Sequence, residues 1–426
     1  MPIDIHDAAR LKELQALPLE RKIAITQTRI IEWFNFWEGQ VYLSFSGGKD
    51  STVLLDLVKK TLAAIDPTFE LPVVFSNTGL EYPEIQKFAR SKNATFVTPK
   101  MNFVNVIRNY GYPLISKEVA NAIYYARRIR NSNTSEGGGQ REDSRKQYIG
   151  EKNFSTSVTI KSPPHQSNSK QQSERDKSCL TEGSTTVTTV QTHVVQENYR
   201  RKQLLGILGS YDDVKVKSKF NKKKWLPLVY TPFLISGKCC DIMKKSPIGI
   251  YQRASHNKPY LGTMAEESLM RRQSWIRTGC NAFEGKKPSS QPLSFWTEQD
   301  ILEYIKTYNI EICSVYGNII EQNGQLTLTG CRRTGCMFCG FGANQKDDYR
   351  FIKLAETHPK QYKFCIEGGE WADNPYYDPN APEYDGEWKN WNPKRIFIPN
   401  NHGVGLGTIF EMCNEIYGKE MFKWRV

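Results

Sequence analysis

The chain has 426 residues, 39% of them hydrophobic and 12% aromatic, which is enough for two or three domains with apolar cores. No apolar run reaches membrane-spanning length, and the opening Met1-Pro2-Ile3-Asp4 lacks the basic-then-apolar layout of a secretory signal, so a cytoplasmic location without a membrane partner is expected. A formal net charge of +13 points to an anionic partner, and ten cysteines in such a chain point to thiols, metal ligands or catalytic groups rather than a disulfide framework.

Residues 19 to 37 predict an amphipathic helix with Ile23, Ile25, Ile30, Ile31, Phe34 and Trp37 as its apolar set. A strand over Val41 to Phe45 and a helix over Ser51 to Ile65 then bracket Ser46-Gly47-Gly48-Lys49-Asp50-Ser51. Paired glycines let the backbone turn tightly, so that successive N–H groups and the following helix N-terminus face one anion, to which Lys49 adds a mobile charge. The loop is not a Walker A motif, because Asp50 stands where that pattern needs Ser or Thr.

Leu71 to Ser76 predicts a second strand, followed by the connection Asn77-Thr78-Gly79-Leu80-Glu81-Tyr82-Pro83-Glu84, in which Pro83 can open a helix. Ala94 to Val97 predicts a third. Strands alternating with helices at this spacing predict an α/β fold with a doubly wound parallel sheet, whose ligands bind at the carboxyl ends of its strands.

Residues 131 to 198 are rich in Ser, Thr, Gln, Asn and Gly and carry as many acids as bases, which predicts a flexible polar insertion. The positive charge concentrates just beyond, from Arg200 to Lys224, where Tyr211, Phe220 and Trp225 are interleaved with bases. Such a stretch suits phosphates and stacked bases; a solvated basic hairpin fits equally well. Glu367 to Glu387 is acidic and aromatic without a single Lys or Arg.

Adjacent Cys239 and Cys240, with Cys336-Met337-Phe338-Cys339 far downstream, can form a soft tetrathiolate site. Neighbouring cysteines have difficulty reaching one zinc ion together, whereas a cubane offers them separate irons. Cys280 and Cys331 could each substitute for one of the vicinal pair.

The glycine loop resembles the SGGKDS pyrophosphate loop of the N-type ATP pyrophosphatase superfamily, and the two cysteine pairs resemble the four-iron cluster site of the phosphoadenylylsulfate (PAPS) reductase family within it. Asn77-Thr78-Gly79 resembles that family's Asp-Thr-Gly loop, with Asn77 replacing the acid, and the segment from Gly262 through Glu267, Ser268 and Arg271 resembles its substrate-holding stretch. Lys117 is a further phosphate candidate. Glu267 and Arg271, four apart, also fit a plain helical ion pair.

The resemblance implies an adenine nucleotide alpha hydrolase-like domain in two parts, 1–130 and 199–355, interrupted by the 131–198 insertion and followed by an extension over 356–426. It implies ATP (or PAPS or adenylylsulfate) on Ser46 to Ser51 and Asn77 to Gly79, with Mg²⁺ and a 4Fe-4S cluster on Cys239, Cys240, Cys336 and Cys339. Lys49, Asp50 and Arg271 would be the catalytic residues. The family's reductases use a Glu-Cys-Gly type motif near the C-terminus, and the stretch Met421 to Val426 does not reproduce it. The expected activity is therefore adenylylation followed by sulfur transfer to tRNA or DNA, with a cysteine desulfurase or other sulfur donor as partner. A sulfonucleotide reductase and a non-catalytic nucleotide-binding subunit are the alternatives.

Overall fold

A computed structural model describes residues 6–128, 199–209, 218–380 and 391–425. The predicted insertion at 131–198, with Cys179, lies outside the described residues. The chain divides into two compact units, one formed by residues 1–121, 231–377 and 393–426, the other by residues 122–230 and 378–392.

The first unit opens with α1 (Ala8–Gln15), α2 (Leu19–Phe36), β1 (Val41–Phe45), α3 (Lys49–Ile65), β2 (Val73–Ser76), α4 (Pro83–Ser91), β3 (Thr95–Val97), α5 (Phe103–Tyr110) and β4 (Leu114–Ile115). Helix α6 (Lys117–Arg128) runs across the division between the units. The first unit resumes with α7 (Ser246–Ser255), β5 (Lys258–Leu261), α8 (Leu269–Thr278), β6 (Asn281–Ala282), β7 (Ser289–Ser290), α9 (Glu298–Thr307), β8 (Ile319–Gln322), β9 (Gln325–Leu328) and β10 (Gly340–Phe341). It ends with α10 (Arg350–Thr357), α11 (Pro359–Ile366), β11 (Glu370–Asp373), β12 (Arg395–Ile398) and α12 (Leu406–Tyr417).

The main sheet has the order β3-β2-β1-β5-β7-β6, with every neighbouring pair parallel except β6 and β7. This is the predicted α/β doubly wound sheet. The chain steps outward from β1 to β3 and then returns to the other side of β1, so the strand order reverses at the β1–β5 boundary, the place where doubly wound sheets take ligands at their carboxyl ends. β1 is buried on both faces by residues such as Val41, Tyr42 and Leu43, as a central parallel strand requires. The strand starts fall one or two residues later than the apolar runs suggest, because β2 begins at Val73 and β3 at Thr95.

Helix α2 corrects the sequence expectation in one respect. Its deeply buried face runs through Leu19, Lys22, Thr26, Ile30 and Trp33, whereas Ile23, Ile25, Phe34 and Trp37 are only partly covered. A lysine belongs to that face because Lys22 Nζ donates to both Asp300 carboxylate oxygens at 2.7 Å and to the Gln15 carbonyl at 2.7 Å. Asp300 also accepts from the Thr297 main chain and hydroxyl, which closes the capping box of α9. The pair thereby fixes α2 against α9, and a buried ammonium that loses its carboxylate has no solvent to turn to.

A second layer of ordering surrounds β4. Tyr112 N–H donates to Leu234 O and Ser236 N–H donates back to Tyr112 O, while β4 pairs in parallel with β10 on its other side. Both contacts require glycine. A Cβ on Gly111, whose φ is +104°, would lie 2.3 Å from the Leu234 carbonyl carbon, and one on Gly340 would lie 2.6 Å from Pro113 O.

Within the second unit, Arg127 is half-buried, with Nε donating to Val229 O at 2.9 Å and Nη2 to Leu228 O at 2.8 Å, its guanidinium over the Trp391 ring. Burial pulls this guanidinium down to about 9. Of the aromatics interleaved with the basic stretch, Trp225 is buried beneath Lys224, Phe220 is exposed, and Tyr211 lies outside the described residues. Trp225 therefore belongs to packing rather than to a stacking platform.

Replacing Lys22 with Met leaves Asp300 buried without its counter-charge, and the expected loss is about 3–5 kcal/mol, read from urea unfolding monitored by tryptophan fluorescence. An unchanged urea midpoint would show that the pair adds nothing to the α2–α9 contact.

Candidate functional site

The Ser46 to Ser51 turn lies at the carboxyl end of β1, at the point where the strand order reverses. Gly47 has φ +70°, and a Cβ there would meet Ile85 Cγ2 at 2.7 Å. Ser51 Oγ donates to Gly48 O at 2.9 Å and lies 3.0 Å from Ser46 Oγ, so the two serines clasp the turn from its ends. Helix α3 begins after Gly48 with no side-chain cap. Gly262, just past β5, packs so tightly against this start that a Cβ would sit 3.1 Å from Ser51 N.

The loop is partly covered. Ser46 is exposed and Asp50 half-buried, whereas Gly47, Gly48 and Lys49 are buried. The Tyr316 hydroxyl accepts the Lys49 main-chain N–H at 3.1 Å and pairs with Thr334 Oγ1 at 2.7 Å. Burial pushes the Tyr316 phenol up to about 12, so it stays a neutral hydroxyl. Lys49 Nζ stands 3.1 Å from Asp50 Oδ1 and 3.5 Å from Glu298 Oε1. The Asp50 oxygen lies off the line of a hydrogen bond and, though buried, has no hydrogen-bond partner.

Arg271 lies in the first turn of α8, whose N-cap is Ser268, and it pairs with Glu267 as the i,i+4 spacing allows. Ser268 thus serves the helix, with its Oγ accepting the Arg271 N–H. The Arg271 guanidinium is held below the usual arginine range by burial and by nearby Arg333, with Asp50 opposing. Arg271, Arg333 and Asp50 therefore share one electrostatic neighbourhood.

The Asn77 to Glu81 connection turns on its own side chains. Asn77 Oδ1 accepts from Gly79 N–H at 3.1 Å, and the Glu81 carboxylate accepts from the Thr78 N–H and hydroxyl at 3.0 and 2.7 Å. The Leu80 carbonyl accepts from Met337 N–H at 2.8 Å, which docks the Cys336–Cys339 turn directly on this loop.

Cys239 and Cys240 follow the Leu234–Ser236 segment on one side of β4, and Cys336 and Cys339 precede β10 on the other. The shared strand brings the two pairs together. The Cys239 and Cys240 sulfurs are 4.0 Å apart. The Cys239 thiol is pushed up by its contact with Cys240 and by burial, with Cys339 and Cys336 adding, while Cys240 is pushed down by the same contact with help from Lys117 and Lys244. Burial raises Cys336, and burial with Cys336 and Cys240 nearby pushes Cys339 up to about 11.

Two lysines face this group. Lys117 Nζ pairs with Asp241 at 2.9 Å beside Cys240, so this candidate phosphate ligand sits among the thiols. Lys244 is held above the usual lysine range, because burial, which disfavours its charge, is outweighed by Cys336 and Glu81. Among the described residues no three His, Cys, Asp or Glu stand close enough to hold a single metal ion. The four thiols and the two ammonium groups nonetheless share one electrostatic neighbourhood.

The other cysteines are elsewhere. Cys280 is buried in the main core, where Ser294 Oγ contacts it at 3.3 Å, and Cys331 adjoins Tyr82. Cys313, Cys365 and Cys413 are buried, and burial pushes Cys413 up to about 12 and Cys365 well above the ordinary thiol range.

The chain matches the phosphoadenosine phosphosulfate reductase domain over residues 40–109 and 185–340, a span that contains the glycine loop and both cysteine pairs. The chain belongs to the phosphoadenosine phosphosulfate reductase family. No curated protein matches it. Membership supports nucleotide-related sulfonucleotide chemistry for an enzyme of this fold, while α10 to α12 lie beyond the family match. Within this framework sequence reasoning missed Tyr316, Thr334, Glu81 and Lys244. The glycines Gly330 and Gly335, bracketing Cys331 to Thr334, were the local sign that a tightly placed segment begins there.

Gly47→Ala combines a left-handed backbone with a clash against Ile85, so the expected cost is about 1–3 kcal/mol. A thermal-unfolding midpoint equal to that of the unsubstituted protein would rule out the strained turn.

Proposed function

We propose that this protein binds ATP on the Ser46–Ser51 loop, releases pyrophosphate by adenylylating an acceptor on nucleic acid, and prepares that acceptor for sulfur transfer beside the four-thiol group. The observation that carries this reading is the segment 330–339. It lays Thr334 against the loop through Tyr316 and, within five residues, delivers Cys336 and Cys339 to the Cys239–Cys240 side.

In this reading the loop amides and Lys49 take the departing phosphates, where growing negative charge is neutralised by groups already in position. Asp50, with a buried oxygen lacking a hydrogen bond, is suited to a Mg²⁺ counter-ion, which would offset the polyphosphate charge. Arg271 holds the acceptor's phosphate in its fork. Asn77, Thr78 and Gly79 border the nucleotide at the neighbouring strand end. Cys239, Cys240, Cys336 and Cys339 would hold a 4Fe-4S cluster, which supplies a site for holding or handing over sulfur.

A groove of about 590 Å³ lined by Gly79, Gln86, Asn102, Phe338, Lys360 and Phe364 adjoins the Cys336–Cys339 turn. The basic residues of the 200–224 stretch suit a polyanionic acceptor, tRNA or DNA, and a cysteine desulfurase or another donor would supply the sulfur.

Sulfonucleotide reduction is the second reading, favoured by the family match itself. It needs an accessible resolving thiol, and of the described cysteines outside the group of four only Cys331 is not buried. The buried and protonated Cys365 and Cys413 are poor nucleophiles for that step.

Pyrophosphate release from ATP, measured with a coupled phosphate assay, is expected to rise when RNA or DNA is added and to fall at least about a hundredfold in Lys49→Ala. Sulfite production with thioredoxin as reductant, and no nucleic-acid stimulation, would replace this reading with the reductase.

Protein purified without oxygen is expected to carry iron and a broad visible absorption that Cys239→Ser and Cys336→Ser each abolish and Cys280→Ser leaves intact. Iron-free wild-type protein, or loss of iron in Cys280→Ser alone, would exclude the proposed ligand set.

A further inference from the structure

We infer that Arg332 and Arg333 form a polyphosphate clamp over the Ser46–Ser51 loop, so that the site selects a nucleoside triphosphate, through its terminal phosphates, over shorter anions. The inference deepens the ATP-dependent reading above and rests on it.

The span that carries the two arginines is fastened at both ends. On one side Gly330 N–H donates to Tyr316 O and Cys331 N–H to Val315 O at 2.8 Å, a contact so close that a Cβ on Gly330 would lie 2.4 Å from Val315 O. On the other side Met337 N–H reaches Leu80 O and β10 pairs with β4. Between the anchors Arg332, Arg333 and Gly335 are exposed, while Thr334 is half-buried against the loop. Thr334 Oγ1 would be 3.7 Å from a Cβ on Gly48, which fixes how near the loop this span passes.

Glu298 shows where the clamp's ligand would go. Its Oε1 is 3.5 Å from Lys49 Nζ and its Oε2 is 3.6 Å from Arg332 Nη2, so one carboxylate spans the two cations with both contacts longer than a good hydrogen bond. Glu298 is held by its main chain, where its N–H donates to Glu266 at 2.8 Å in the first turn of α9. Its carboxylate is therefore free to give way. Two oxygens on one carbon, bridging a lysine and an arginine at the loop, occupy the place that oxygens of a β,γ-phosphate pair would take. Arg333 adds a third cation on the Arg271 side, near enough to act on the Arg271 guanidinium that Glu267 pairs.

Arginine suits this task because its fork can take two oxygens of one phosphate, and both side chains are exposed enough to swing onto an incoming ligand. AMP, with one phosphate seated on the loop, would not reach the clamp. Arg332 and Arg333 are thus binding residues for the part of the ligand that leaves.

Isothermal titration of the full-length protein with ATP, AMP and inorganic tripolyphosphate tests this. Arg332→Gln and Arg333→Gln are each expected to weaken ATP and tripolyphosphate by about tenfold while leaving AMP unchanged. Glu298→Gln is expected to tighten both polyphosphates, a change of sign that general loss of structure would not produce. Arginine variants that bind ATP and tripolyphosphate like the wild type, or lose AMP in the same proportion, would overturn the clamp, as would weaker polyphosphate binding in Glu298→Gln. Those results with normal Lys49-dependent pyrophosphate release would leave the ATP-dependent reading standing. Wild-type protein that binds neither ATP nor tripolyphosphate would remove both.

Discussion

The short strand β4 is the constraint on which the site depends. Its two residues Leu114 and Ile115, extended by Tyr112, accept main-chain pairing from both sides, from Leu234–Ser236 and from Gly340–Phe341. Each flanking segment ends within a few residues of a cysteine pair. Backbone hydrogen bonds in a buried setting are costly to leave unmade, so the pairing determines where all four thiols sit more firmly than any contact among the thiols themselves. Tyr112, itself buried, adds a hydroxyl bond to Val404 O at 2.9 Å that ties β4 to the region just before α12.

From that strand the arrangement spreads to the nucleotide side without a break. Met337 docks on Leu80, Glu81 ties back to Thr78 and lies near Lys244, and Lys244 faces Cys336. The thiols and the loop at the end of β2 are thereby joined through a short run of neighbours, one strand away from the Ser46–Ser51 turn. The loop side has its own bracing, in Tyr316, Thr334 and Gly262, so both halves of the site are held by packing and main-chain bonds rather than by surface ion pairs.

Much of this was legible because it is local. Two glycines after an apolar run, a proline opening α4, and cysteines in adjacent or C-x-x-C spacing announce their geometry within a few residues, and the alternation of strands and helices gives the sheet class. The missing parts are those created by distance in sequence. Lys22 was unreadable as a core residue because hydrophobic periodicity has no place for a charge whose partner is Asp300. Likewise Tyr316 and Thr334 carry no motif, and a two-residue strand such as β4 is too short to leave a pattern. The apolar set of α2 was misjudged for the same reason, since its central stripe includes Lys22 and Thr26. The place of Trp225 stayed open because aromatic residues among bases look alike whether they cover a core or face solvent.

The Lys22–Asp300 contact joins residues 278 positions apart, and β1 finds its second neighbour, β5, more than two hundred residues further along the chain. A ribosome must therefore have released most of the polypeptide before the first helix and strand can reach their final partners. Until then the nascent N-terminal half exposes one unpaired side of β1 and an ammonium with no counter-ion, conditions under which slow assembly and off-pathway strand association compete. For such a chain, the order of emergence matters as much as the final packing.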